Sequence, residues 1–190
     1  MTPPVRAPIA LGPMPAGRRM TTIDERVVRA TPATIQALAA DVAAWPSYLD
    51  HYRYVRFRER DGAGGGIVEM SADRPFGPLA WPTFWVSEMQ IADDRAGAAP
   101  SIRFRHVGGV TRGMDVEWSF DATAAGTRVR IVHVWDGPRW PLIGTFAARA
   151  VIGPVFVHGI ASRTLAGLAA VAERGGGAAR HNPNVEVQRG

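Results

Sequence analysis

Three residues stand out as able to hold or move protons without help from a metal: Tyr52, His106 and His133. An imidazole titrates near neutral pH, and a phenol can donate a hydrogen bond to a ketone. His106 follows Ile102 and Phe104 at strand spacing, and His133 follows Val129 and Ile131. Period two therefore turns each imidazole toward the side taken by its apolar neighbours. The bland alternatives stay open: a histidine satisfied by backbone or water, and a tyrosine at the rim of a sheet with its hydroxyl wet. His158, near Ser162, reads as a packed helix residue. Other chemistries are poorly served. With no cysteine there is no disulfide, no thiolate nucleophile and no thiolate metal ligand. The five histidines form no HxxxH or HExxH pair, so neither a metal nor another cofactor is expected. The run Gly62-Ala63-Gly64-Gly65-Gly66 lacks the Lys-Ser/Thr ending of a phosphate loop and reads as a flexible turn.

Elements that could position these groups follow in a definite order. Residues 22–30 read as a strand, and Thr31-Pro32 is a helix start, with Thr31 as N-cap and Pro32 at the first helical position. Ile35, Leu38, Ala39 and Val42 supply the apolar face of a short helix, which Trp45-Pro46 ends. Pro46 opens a second short helix through Leu49. Residues 52–61 and 67–72 read as a hairpin, and 84–91, 101–107, 114–122 and 128–136 continue an antiparallel series. Met114, Val116, Trp118 and Phe120 alternate with Asp115, Glu117, Ser119 and Asp121, so one face is wet and the other covered. Residues 141–150 and 154–174 read as helical, kinked at Gly153-Pro154. Along the second piece Val157, Ala161, Thr164, Leu168 and Val171 line one side.

This order predicts an α+β domain, a curved antiparallel sheet of about seven strands wrapped around a long C-terminal helix, with two short helices after the first strand. Sheet and helix touch only along a line, so an apolar pocket remains between them. Its expected wall includes Trp45, Trp85, Met89 and Phe104, with Trp118, Trp135, Val157 and Ala161 completing it.

Composition narrows the classes further. At 190 residues, 46% hydrophobic and 21% charged, the chain suits one globular core. All 22 basic residues are arginine, and the formal net charge is +5. Arg6, Arg18, Arg19, Arg180 and Arg189 lie in the terminal segments against Glu186 alone, which leaves 17 arginines facing 16 acids within 20–174. The excess sits in the tails instead of forming a surface patch, so nucleic acid is not an expected partner. No apolar run approaches the ~18 residues of a membrane span, so no integral membrane association is expected. Residues 1–20 read as a disordered leader: Pro8 and Pro13 interrupt the apolar fragment, and Arg18-Arg19 follow it, the reverse of a secretory signal. A cytoplasmic protein is the expectation, with Met20 an alternative start. Residues 21–174 make the domain and 175–190 a disordered tail that the triple glycine opens. A homodimer is left open.

Within 21–174 the sequence resembles the helix-grip superfamily of START-like, Bet v 1-like and polyketide cyclase/dehydrase proteins, also called SRPBCC. The stretches that carry the resemblance are Asp41-Val42-Ala43-Ala44-Trp45-Pro46, Arg112 through Phe120, Gly126-Thr127-Arg128-Val129 and Arg163-Thr164-Leu165. It implies a hydrophobic ligand in an internal cavity and a cofactor-free cyclase, aromatase or dehydratase acting on a poly-β-ketone or related carbonyl compound. The alternative that it implies is a non-catalytic carrier of a lipid, isoprenoid or coenzyme Q-type quinone. Trp45 and Tyr52 stand where the aromatic polyketide cyclases have a tryptophan and a cavity tyrosine. In Trp85-Val86-Ser87-Glu88-Met89, Met89 replaces an arginine that those enzymes use, and His106 falls at a second cavity arginine.

Overall fold

The structure, a computed structural model, describes residues 7–76, 79–92, 100–137 and 157–180. Strand β1 (Met20–Val28) leads into helix α1 (Pro32–Ala40) and a 3-10 helix (Val42–Ser47). Six strands follow: β2 (Tyr52–Arg60), β3 (Gly66–Phe76), β4 (Leu79–Ala92), β5 (Ser101–Gly109), β6 (Asp115–Thr123) and β7 (Gly126–Trp135). Helix α2 (His158–Arg180) closes the described chain. The expected helix at 141–150 and the kink at Gly153-Pro154 lie outside the described residues.

All seven strands form one antiparallel sheet in the order β1-β7-β6-β5-β4-β3-β2. Strands β2 to β7 are a meander, while β1 returns beside β7, so the chain crosses from one sheet edge to the other through α1 and the 3-10 helix. Thr31 caps α1 as its spacing predicts, with Oγ1 accepting from the Thr34 amide at 3.2 Å. The inner sheet face follows period two: Met114, Val116, Trp118 and Phe120 are buried, as are Val129, Ile131, His133 and Trp135. Ile35, Ala39 and Val42 bury against this core, whereas Leu38 is only partly covered.

Pro46, expected to open a second short helix through Leu49, lies instead inside the 3-10 helix Val42–Ser47, and four further features depart from the sequence-based expectations. The buried stripe of α2 includes Leu165, Leu168, Ala169 and Ala172, with Val171 only half-buried, because a 3.6-residue turn drifts around the axis as it proceeds. Helix α2 continues past Arg174 through the three glycines to Arg180, where a tail was expected. The glycine run is also more than a flexible turn. A side chain on Gly65 would sit 2.3 Å from the Met89 carbonyl oxygen, and Gly66 has φ 139° with the Glu59 carbonyl oxygen 2.1 Å from where a Cβ would be. Only glycine permits that approach of β2, β3 and β4.

The fourth of these is the leader. Residues 9–12 bond to the outer face of the sheet: the Ile9 amide to Asp61 at 3.2 Å and the Leu11 amide to Gln90 at 2.9 Å. Arg103 donates to the Gly12 carbonyl at 2.7 Å and Arg105 to that of Leu11 at 3.1 Å, and Leu11 is buried. Further along, Arg18 pairs with Asp136. Arginines on one sheet face need acceptors when covered, and strap carbonyls provide them.

Candidate functional site

Between the inner sheet face and α2 lies a cavity of about 80 Å³, counted as the space that the centre of a water molecule can reach. One water needs about 10–15 Å³ by that measure, so there is room for several waters or a ring-sized group. An arc of rings forms one wall. Trp118 and Trp45 lie 5.9 Å apart between centroids, Trp45 meets Tyr52 edge-on at 5.1 Å, Tyr52 and Trp85 are at 6.2 Å, and Trp85 stacks on His106 at 6.1 Å. The Trp45 indole N–H is satisfied by the Leu38 carbonyl at 3.1 Å, which fixes the ring and uses its polar handle outside the cavity. Helix α2 faces this arc with Ile160, Ala161 and Thr164, and Val157 stands just before its first turn.

Polar groups enter at three places. Period two on β5 brings in His106, whose Nδ1 lies 2.7 Å from Thr111 Oγ1. Strand β7 brings in His133, with Nδ1 3.3 Å from Thr22 Oγ1 across the β1–β7 pairing. Burial pushes the His133 pKa down from 6.5 to about 3, so the ring is neutral at physiological pH. The third place is Tyr52, whose hydroxyl lies 3.3 Å from Thr164 Oγ1, itself 2.9 Å from His51 Nε2. Burial raises the Tyr52 pKa, so the phenol stays protonated. Burial, followed by the nearby Arg163 cation, lowers the His51 pKa to about 4, with Asp50 opposing in part. Among the described residues no Asp, Glu or Arg lines the cavity.

Of the residues expected at the site, Trp45, Tyr52, Trp85, Phe104, His106 and Trp118 line this cavity. So do His133, Val157 and Ala161. Met89 and Trp135 do not. Met89 is fully buried four residues beyond Trp85 on β4, which at ~3.3 Å per residue places it roughly 13 Å further along the strand. It packs in the core opposite Gly66 and Phe104, the second of which lines the cavity, so Met89 stands behind this wall instead of on it. Trp135 is buried with its indole N–H on the Arg112 carbonyl at 3.0 Å, and it plugs the core beneath the β5–β6 turn.

Thr164 was legible only as one step of a helix stripe and Met114 only as one step of a strand alternation, and Thr111 and Met70 carried no signal of their own. His51 had a misleading one. It adjoins Tyr52, and strand alternation would send one of the two outward, yet both are buried because His51 precedes the first strand residue. His158, expected to be packed, is exposed, and its Nδ1 lies 2.5 Å from the carboxylate of Asp24, a buried residue on the inner side of β1. That contact ties the first turn of α2 to the sheet edge. Burial raises the Asp24 pKa, and His158 opposes the rise.

A seven-stranded antiparallel sheet gripping a C-terminal helix around an apolar cavity defines the START-like, Bet v 1-like helix-grip class. Residues 28–155 match the family described as polyketide cyclase / dehydrase and lipid transport, and the chain belongs to that family. Solved structures agree on the fold. The Zhui aromatase/cyclase from Streptomyces sp. R1128 superposes with a TM-score of 0.66 at 17% identity, over 88% of this chain and 99% of that one. TTHA0849 from Thermus thermophilus gives 0.64 at 18% identity, over 82% and 99% of the two chains. A START superfamily protein from Mycobacterium smegmatis gives 0.56 at 13% identity, over 81% and 94%. A search of the curated proteins returns no match.

Proposed function

We propose that the cavity takes an uncharged, oxygen-bearing apolar compound and that the protein acts as a cyclase or aromatase on a poly-β-ketone or related carbonyl chain. The observation that carries this reading is that Tyr52, His106 and His133 line one cavity whose other lining residues, Thr111 and Thr164 apart, are apolar or aromatic. Membership of a family that includes cyclases and dehydrases supports it. Ring closure needs a flexible chain folded so that one methylene faces one carbonyl, and a shaped cavity removes much of that entropic barrier. Tyr52, held protonated, donates to the carbonyl oxygen under attack and stabilises the charge that grows there as the carbon–carbon bond forms. His106, half-buried against Trp85 and bonded through Nδ1 to Thr111, takes the methylene proton in this reading and returns it to the new alkoxide before water is lost. A base works best with a pKa near the operating pH, so His133, at about 3, serves as a neutral hydrogen-bond partner.

Incubation with a freshly released poly-β-ketone chain tests the proposal. The wild-type protein is expected to change the distribution of cyclised products, and Tyr52→Phe and His106→Gln to return it toward that of the protein-free reaction. A wild-type distribution equal to the protein-free control would end the cyclase reading. One observation favours a carrier instead: the described wall bears no fixed charge with which to stabilise an oxyanion. Mass spectrometry of an organic extract from gently purified protein separates the two, since a carrier would retain an unaltered quinone or isoprenoid.

A further inference from the structure

One buried polar group beside this site is not on its wall. His51 is 5% exposed and lies behind Tyr52, with ring centroids 4.7 Å apart, and its Nε2 meets the cavity-lining Thr164. Its backbone is pinned as well, since its carbonyl accepts from the Asp73 amide at 2.7 Å. Thr164 Oγ1 is a junction: it stands 2.9 Å from His51 Nε2, 3.3 Å from the Tyr52 hydroxyl and 2.8 Å from the Ile160 carbonyl. A threonine hydroxyl carries one proton and two lone pairs. The Ile160 carbonyl can only accept, and the single Thr164 proton points to it at 2.8 Å and to the Tyr52 oxygen at the longer 3.3 Å as a three-centre bond, which leaves the lone pairs of Oγ1 for an N–H on His51.

We propose that His51 is a positioning residue that donates through Thr164 to Tyr52 and thereby aims the Tyr52 proton into the cavity. The order of donation is His51 Nε2–H to Thr164 Oγ1, Thr164 O–H to the Tyr52 oxygen, and Tyr52 O–H to a carbonyl oxygen of the ligand. Each donor in such a chain is polarised by the one before it, which strengthens the last bond. No proton leaves His51, and no bond is made or broken along the chain. The charged groups close enough to bias the ring are Asp50 beside it and Arg163 on α2, and the ring stays neutral at physiological pH. The inference rests on the reading of the cavity as a carbonyl site, and it assigns a role to a histidine that touches no ligand.

A pair of neutral probes of matched shape tests it: 1-acetylnaphthalene, which carries the carbonyl, and 1-isopropenylnaphthalene, which does not. Binding is followed by quenching of tryptophan fluorescence. The wild type is expected to prefer the ketone, and Tyr52→Phe to abolish the preference. His51→Phe and the near-isosteric Thr164→Val should each reduce ketone affinity by about 3- to 10-fold, the range of one hydrogen bond, while leaving the hydrocarbon unchanged. The double variant should lose no more than either single one, and His51→Gln, which keeps an amide N–H near the place of Nε2, should restore most of the preference. Nitrogen-15 NMR of the wild-type imidazole should show the Nε2–H tautomer, a readout that needs no variant to fold. Equal losses for both probes, additive losses in the double variant or an Nδ1–H tautomer would each overturn the relay. Failure of the wild type to prefer the ketone would sink the carbonyl-site reading and the relay together. A preference that Tyr52→Phe abolishes but the His51 and Thr164 variants leave intact would sink the relay alone.

Discussion

His133 illustrates how much of a residue's chemistry depends on its surroundings. Strand parity sufficed to turn it inward with Val129 and Ile131, but its charge state follows from burial: held at about 3, it is a neutral hydrogen-bonding group and a poor base. The same depression, to about 4, keeps His51 neutral. Both folded-state values lie below the ordinary 6.5, so the unfolded chain binds more protons as the solution is acidified. The contribution of these rings to stability is therefore fully present above pH 6.5 and lost as the pH falls toward the folded values. Each ring should add a slope of up to ~1.4 kcal/mol per pH unit in that window. Thermal unfolding followed from pH 7.5 to 4.5 should show a falling Tm, with a shallower fall in His133→Asn. An unchanged slope in that variant would mean that the imidazole is protonated in the folded state.

Among the elements, local signals worked where the physics is local. The Thr31-Pro32 start is readable because a side-chain oxygen caps an amide three residues away, a geometry that needs no tertiary context. Thr31→Ala should cost about 1 kcal/mol, or roughly 2–4 °C in Tm for a chain of this size, as calorimetry would measure. The glycine run was legible as a turn but not as a close contact. What makes Gly65 and Gly66 indispensable is the nearness of the Met89 and Glu59 carbonyls, and Met89 and Glu59 belong to β4 and β2, the two strands that flank β3. Gly66→Ala combines an unfavourable φ with that overlap and should destabilise by at least about 2 kcal/mol, well beyond the loss of a helix cap, in urea unfolding.

The whole molecule has two working faces. The inner face holds the cavity, and the outer face is crossed by the strap of residues 9–12, to which Arg103 and Arg105 donate while Ile102, Phe104 and His106 point the other way. Removal of residues 1–19 should expose the Leu11 site and leave Arg103 without its carbonyl acceptor. Returning a buried leucine's contact surface to water costs about 1.5–3 kcal/mol, so Tm should fall by several degrees. Ligand affinity should hold within about twofold, because sheet strands separate the strap from the cavity and distant sites act nearly independently. A comparable loss of binding by fluorescence titration would show that the two faces are coupled.

By itself the sequence determined the order of elements, the cap of α1, the face on which His106 and His133 lie and the apolar character of their strand neighbours. These follow from periods of two and 3.6 residues and from short-range hydrogen bonds, which act over a few positions of chain. Only the tertiary structure decided which inward residues reach the cavity, leaving Met89 and Trp135 in solid core beside it. It also decided that His51 meets Thr164 across 113 residues and that the leader folds onto the arginines of β5. Parity assigns a side of the sheet, but the curvature of the sheet and the seating of α2 assign a place along it, and those are set by packing between elements far apart in the chain.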